Sequence, residues 1–199
     1  YETPTGPQLE VLGEVETKLP QPAQRRATAW VLTAVVALAA VFGLGGMKLQ
    51  SARRAAAKEF TTGAHEEYEG FSLSGDLNER LEAGATLAKI GKQQLGETNA
   101  FVNEAFAQVD ALKEALASGS PAACYRANTA LGKAVEALYP NLQENDTAKA
   151  QWEEFKSRQY TIDHSAYNTV AEQYNDMAAA FPANLIGAVW GATEVERFA

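Results

Sequence analysis

Hydrophobic and polar positions set one stretch of the chain apart from all others. Ala29 to Met47 is a run of nineteen residues without a charge. As a helix it would be about 28 Å long, close to the hydrocarbon thickness of a bilayer. A core helix would show a polar face, and a cleaved signal would have a shorter apolar run before a small-residue cleavage site. We therefore predict a retained membrane helix over residues 27–48, with membrane-anchoring side chains at Trp30, Phe42 and Lys48.

Beyond residue 48, apolar residues recur at intervals of three or four, which is typical of helices that bury one face. The first helix is predicted to continue to about residue 64 along the stripe Leu49, Ala52, Ala56 and Phe60. No stretch shows a sustained alternation of apolar and polar residues, and no Asn-Gly or Asp-Gly hairpin signal occurs. We therefore predict no strands.

Capping residues divide the following stretch into helices. Ser74 or Asp76 is predicted to start the second helix, which Gly96 breaks. Thr98 is predicted to cap a third segment that ends near Gly119. The pattern leaves open whether the second and third segments form one kinked helix.

Two further starts are marked as clearly. Ser120, followed by Pro121 at the first helical position, predicts a fourth helix that ends at Tyr139-Pro140. Asn145 or Asp146 is predicted to cap a last helix of about 35 residues. Phe181-Pro182 ends that helix, because a proline disfavours helical backbone at the residue before it.

These elements predict an all-α protein in which a single N-terminal transmembrane helix precedes an antiparallel bundle of about four long helices. The predicted parts are a disordered tail over residues 1–26, the span over 27–48, the bundle over 49–182 and an apolar C-terminal tail over 183–199. The first tail is predicted to be disordered because prolines and glycines interrupt every periodic pattern in it.

Composition excludes several classes of function. The chain carries 17 Lys and Arg against 25 Asp and Glu, a net charge of −8, which argues against nucleic-acid binding. The one cysteine, Cys124, excludes an internal disulfide framework and a zinc site built from cysteines. Because it lies on an apolar stripe, we interpret it as a small buried side chain rather than a nucleophile.

The sequence offers little chemistry. It has no P-loop, no nucleotide-binding glycine fingerprint and no nucleophile elbow. His65 with Glu66, Glu67 and Glu69 is better interpreted as a solvated loop than as a cation site, and His164 as a surface residue. We therefore predict no enzyme activity, no catalytic or metal-binding residues and no cofactor.

The last seventeen residues are unusually apolar for a chain end. They either fold back on the bundle or dock on another protein. The candidate partner contacts in this tail are Leu185, Ile186, Val189, Trp190 and Phe198.

A repeated Tyr-Asn pair dominates the second half of the chain, at residues 167–168 and 174–175. Phe181-Pro182 follows it, and Tyr139-Pro140 with Leu142 precedes it. With the upstream stretch SLSGDLNERLEAGATLAKIGKQQLG, this order resembles the bacterial LemA family over about residues 29 to 191. The resemblance implies one N-terminal span in the inner membrane and a long-helix bundle in the cytoplasm. It implies no agreed activity.

The motif itself has a structural interpretation. Tyr167 and Tyr174 are seven residues apart and share one helix face, as do Asn168 and Asn175. A buried tyrosine ring can direct its hydroxyl to a partner at the edge of the core, and the asparagines can join neighbouring helices by hydrogen bonds. The predicted structural motif is Tyr167, Asn168, Tyr174, Asn175, Phe181 and Pro182.

The sequence thus predicts a membrane-anchored, non-catalytic helical interaction protein, an accessory or scaffolding subunit of a larger bacterial membrane complex. Its predicted partners are the lipid bilayer and other membrane protein subunits. The alternatives are a scaffold that assembles from copies of itself and a ligand- or metal-binding helical domain. Small residues in the span would let another helix approach closely.

Overall fold

A computed structural model describes residues 26–65 and 71–199, and these residues are all-α. The predicted disordered tail lies outside them, apart from Arg26, as do Glu66, Glu67 and Glu69. A short 3-10 turn, Tyr139–Leu142, separates α4 from α5. The helices are α1 (Arg26–Thr62), α2 (Leu73–Leu95), α3 (Ala100–Ser118), α4 (Pro121–Leu138), α5 (Asp146–Asp163), α6 (Tyr167–Ala179) and α7 (Ala183–Trp190).

The chain divides into two compact units between Lys48 and Leu49. In the described part of the first unit, α1 is long and apolar enough to cross a membrane, and its most apolar residues are not buried by the rest of the protein. Of the predicted anchoring side chains, Trp30 and Lys48 are exposed and Phe42 is half-buried. The exposed large apolar side chains between these anchors are Val31, Leu32, Val35, Val36, Leu38, Val41, Leu44 and Met47.

The second unit is built on an antiparallel bundle of α2, α3, α4 and α5. Helix α2 packs against α3 and α5, and α3 packs against α4. Each fully buried leucine or phenylalanine stabilises such a core by about 1.5–3 kcal/mol. The fully buried large side chains of these four helices include Leu77, Leu87, Leu112, Leu131, Leu138 and Phe155.

Glycines on α2 let its neighbours come close. A Cβ atom at Gly84 would lie 3.2 Å from the Phe155 ring of α5, and one at Gly91 would lie 3.1 Å from Leu138 of α4. Side chains therefore fill the space beside both glycines, and any larger residue there would have to push its neighbours aside.

A buried arginine joins three helices of the bundle. Arg80 of α2 donates hydrogen bonds to the main-chain oxygen of Phe155 at 3.3 Å and to the main-chain and side-chain oxygens of Asn128. Its guanidinium carbon lies 3.9 Å from the centre of the Phe155 ring. Burial lowers the pKa of Arg80 to about 10, with Asp163 and Glu136 opposing the shift.

The four bundle helices, α2 to α5, begin at side-chain caps. Ser120 and Asn145 cap α4 and α5 as the sequence predicts, accepting hydrogen bonds from Ala123 and Ala148. The other two starts were misplaced: α2 is capped by Ser72, and α3 by Asn99, whose side-chain oxygen accepts from two backbone N–H groups. Gly96, with φ of +88°, ends α2, so the second and third segments are separate helices.

The predicted last helix of about 35 residues is wrong, because it is two helices, α5 and α6. At the break, Nδ1 of His164 lies 2.8 Å from the oxygen of Tyr160, and the Ser165 N–H donates to the oxygen of Ile162. These groups bind carbonyls that a continuous helix would use itself. The break lets Tyr167 pack edge-to-face on Phe60 of α1, with ring centres 5.5 Å apart.

We expect Gly63→Ala to destabilise the protein far more than Gly119→Ala. Both glycines have φ near +60°, which costs an alanine about 1–2 kcal/mol. At Gly119 nothing lies within 4 Å of an added Cβ, whereas at Gly63 it would lie 1.6 Å from the oxygen of Phe71. Thermal unfolding of the whole chain in mild detergent, followed by circular dichroism, measures both. Equal losses in melting temperature would contradict the clash.

Candidate functional site

The repeated Tyr-Asn pair lies on one face of α6 and faces the terminal segment (residues 192–199). This segment follows α7 and contains no helix or strand. Asn175 pairs with Val195, and Asn168 pairs with Phe198. Seven helical residues rise about 10.5 Å, and three extended residues cover about 10 Å. The two spacings match, which indicates that residues 195–198 run extended, and the order of the pairs makes the segment antiparallel to α6.

Each asparagine holds one residue of the terminal segment by two hydrogen bonds. Asn175 donates from Nδ2 to the oxygen of Val195 at 3.0 Å and accepts at Oδ1 from the Val195 N–H at 2.8 Å. Asn168 does the same with Phe198, at 2.9 and 2.8 Å. The two side-chain amides, which we call the asparagine clamp, satisfy the backbone as a neighbouring strand would.

The two tyrosines add a second row of contacts. The rings of Tyr167 and Tyr174 are buried, and their hydroxyls donate to the main-chain oxygens of Glu196 and Thr193. Burial raises the pKa of Tyr167 to about 12, and the charge of Glu196 adds to the shift. The Tyr167 hydroxyl therefore keeps its proton at neutral pH and remains a donor.

The structure changes the interpretation of the asparagines. From the sequence they were expected to join neighbouring helices, but their amide groups bind the terminal segment, 20 and 30 residues further along the chain. The spacing of seven was visible in the sequence. The segment that the asparagines bind could not be predicted, because residues 192–199 carry no periodic pattern.

Side chains of the terminal segment fill the space beside the clamp. Val195 and Phe198 are buried, and the Phe198 ring packs edge-on against Tyr125 of α4, with centres 5.3 Å apart. Arg53 of α1 donates to the oxygen of Thr193 at 3.0 Å. The clamp thus binds backbone, two apolar side chains three residues apart are buried beside it, and polar contacts of Glu196 with Ser120 and of Arg197 with Glu172 add to them.

The structure divides the five predicted partner contacts. Leu185, Val189 and Trp190 are 53%, 71% and 39% exposed. Ile186 and Phe198 are only 6% and 7% exposed. Those two residues are therefore not available to a partner in this conformation, because the chain itself buries them.

Helix α7 rests on the first residues of the second unit. A Cβ atom at Gly187 would lie 3.3 Å from Leu49, and the Gln50 amide donates to the oxygen of Trp190 at 2.7 Å. The Phe181 ring, just before α7, is 80% exposed. Phe181 and Pro182 follow the end of α6 at Ala179 and precede α7, so the pair connects two helices.

Two reactive side chains, Cys124 and His65, lie in the described part of the chain, where Cys124 is buried and His65 is paired with Glu59. No three His, Cys, Asp or Glu residues in that described part form a group that could hold a metal ion. Cys124 is buried, and burial raises its pKa to about 11, which leaves a poorly nucleophilic thiol at neutral pH. His65 binds the buried Glu59 carboxylate through its ring, at 2.9 Å, and through its backbone N–H, at 2.7 Å.

We expect Asn168→Ala and Asn175→Ala to release the terminal segment while leaving the bundle folded. Each substitution removes two hydrogen bonds and leaves a half-buried backbone pair unsatisfied, at a cost of about 1–3 kcal/mol. Hydrogen–deuterium exchange of the peptide covering residues 192–199 should become faster in both variants.

Asn103→Ala is the matched control, because Asn103 is an exposed asparagine of α3. It should leave exchange of the terminal segment unchanged. Unchanged exchange in the two clamp variants as well would show that burial of Val195 and Phe198 holds the segment without the asparagines.

The whole chain was compared with known protein families, curated proteins and solved structures, and none of the three comparisons finds a match. The resemblance to the LemA family stays a prediction from the motifs in the sequence.

Proposed function

We propose that the chain is a membrane-anchored, non-catalytic helical interaction protein of the bacterial LemA family, an accessory or scaffolding subunit of a larger membrane complex. The observation that carries the proposal is the asparagine clamp. It is a prepared site for the backbone of an extended peptide, and binding by backbone is a recurrent way in which proteins recognise one another.

The chemistry of the clamp defines the partner segment. Two side-chain amides, about 10.5 Å apart along α6, require an extended backbone, and their hydrogen bonds involve only the backbone of the paired residues. The burial of Val195 and Phe198 adds a preference for apolar side chains three residues apart. A partner subunit with such a segment would compete with residues 192–199 for the clamp. Its apparent affinity for the protein would be its intrinsic affinity multiplied by the fraction of clamps that are vacant.

A second candidate is self-assembly, and one observation favours it. The ligand in the clamp is the chain's own Val195 and Phe198, so every copy carries a segment that fits every other copy. Gly191, with φ of +63° and nothing within 4 Å of an added Cβ, lies between α7 and that segment. Confinement of several copies to one membrane would raise their effective concentration. In the described part of the chain, no group of three His, Cys, Asp or Glu residues favours the metal-binding alternative.

The membrane part of the proposal is a single span in the inner membrane with the bundle in the cytoplasm. The apolar length of α1 supports a span. Four basic residues follow the apolar stretch and three precede it, which slightly favours a cytoplasmic bundle by the positive-inside rule. The LemA resemblance favours the same orientation.

Pull-down from native membranes in mild detergent, with mass spectrometry, tests the clamp. We expect a variant lacking residues 192–199 to recover more of one foreign membrane subunit than the intact chain, because its clamp is vacant. Adding Asn168→Ala and Asn175→Ala to that variant should abolish the gain, whereas adding Asn103→Ala should not. Circular dichroism of each variant controls for folding.

The opposite results separate the candidates. Equal recovery of the foreign subunit from all folded variants would contradict recognition by the clamp. Recovery of the intact chain as a defined homo-oligomer that dissociates on loss of residues 192–199 would favour the self-assembling scaffold.

Labelling of an introduced cysteine tests the orientation. Cys124 is the only natural cysteine and is buried, so Ser157→Cys on the exposed surface of α5 supplies a single reactive thiol. We expect a membrane-impermeant maleimide to label it in lysed cells and not in spheroplasts. Equal labelling in intact spheroplasts would place the bundle outside the cytoplasm.

A further inference from the structure

The chain contains a second uncharged stretch, from Met177 to Thr193, which surrounds α7. Large apolar side chains recur in it at every fourth position and are exposed: Met177, Phe181, Leu185 and Val189. The opposite face of α7 is covered, because Ile186 and Gly187 are buried. Helix α7 therefore has one face packed on the protein and, at Leu185 and Val189, one apolar face without a partner in the described chain.

The location of α7 is fixed by the chain itself. It contacts Leu49 and Gln50, and Leu49 lies two residues after Met47, the last residue of the apolar run. Two Cα–Cα steps cover at most about 7.6 Å. If residues 29–47 cross a bilayer, the surface on which α7 rests must begin at the boundary between hydrocarbon and headgroups.

We infer that α7 is an interfacial helix, which inserts Leu185 and Val189, together with Phe181 just before it, into the headgroup boundary of the same bilayer that α1 crosses. The inference rests on the proposed membrane anchoring. Removing exposed apolar side chains of this size from water favours the insertion. A tryptophan at the end of the helix, Trp190, fits this depth, because its ring is enriched at membrane interfaces.

Charge complementarity favours lipid over a foreign protein as the occupant. From Lys48 to Lys58 the chain carries four basic residues and no acidic one, although its net charge is −8. Lys48 and Arg54 are exposed, close in sequence to the residues that α7 contacts. Each basic residue near an anionic bilayer surface adds to the attraction. The apolar face and the basic stretch together match an anionic lipid surface.

The test uses the whole chain reconstituted in vesicles of phosphatidylcholine and phosphatidylglycerol. Single cysteines are introduced by Val189→Cys and Leu185→Cys, labelled with an environment-sensitive fluorophore, and quenched by lipids that carry a spin label near the headgroup. We expect several-fold stronger quenching at both positions than at Ser157→Cys on α5. The natural Cys124 is buried and gives little background.

Leu38→Cys, on the exposed surface of the predicted span, separates the two possible failures. Quenching at Leu38→Cys by lipids labelled deep in their acyl chains, without quenching at Val189→Cys and Leu185→Cys, would support the membrane span. It would overturn the interfacial helix. No quenching at Leu38→Cys would overturn the membrane anchoring itself. Protection of Val189→Cys from lipid in native membranes by a bound protein would also overturn the inference.

Discussion

A backbone that joins neither a helix nor a sheet must still satisfy its N–H and C=O groups before it can be buried. Residues 192–199 meet that constraint with side chains of α6. Asn168 and Asn175 each donate to and accept from one residue of the segment, so Val195 and Phe198 can be buried without leaving polar groups unpaired. The packing of the segment beside α1, α4 and α6 depends on these two amides.

The clamp works only if α6 is held at a fixed position. Phe60 of α1 and Tyr167 at the start of α6 pack edge-to-face, which requires the chain to break between α5 and α6. On the bundle side, Arg80 joins α2, α4 and α5 through hydrogen bonds to Asn128 and Phe155. These contacts hold α6 against the rest of the second unit, and α6 carries the asparagine clamp.

The C-terminal part of the chain contains two neighbouring surfaces. Residues 192–199 occupy the asparagine clamp, which would suit a segment of another protein. Helix α7, directly before them, exposes an apolar face beside residues that follow the span.

Local sequence determined the helical class, the apolar stretch of α1 and the caps at Ser120 and Asn145, because periodicity, length and side-chain capping act over a few residues. It also placed both Tyr-Asn pairs on one helix face. Only the tertiary structure decided that the last predicted helix breaks after Asp163 and that the asparagines bind residues 195 and 198. The asparagine pairs join residues 20 and 30 positions apart, and the break accompanies the packing of Tyr167 on the distant Phe60. No local pattern specifies such contacts.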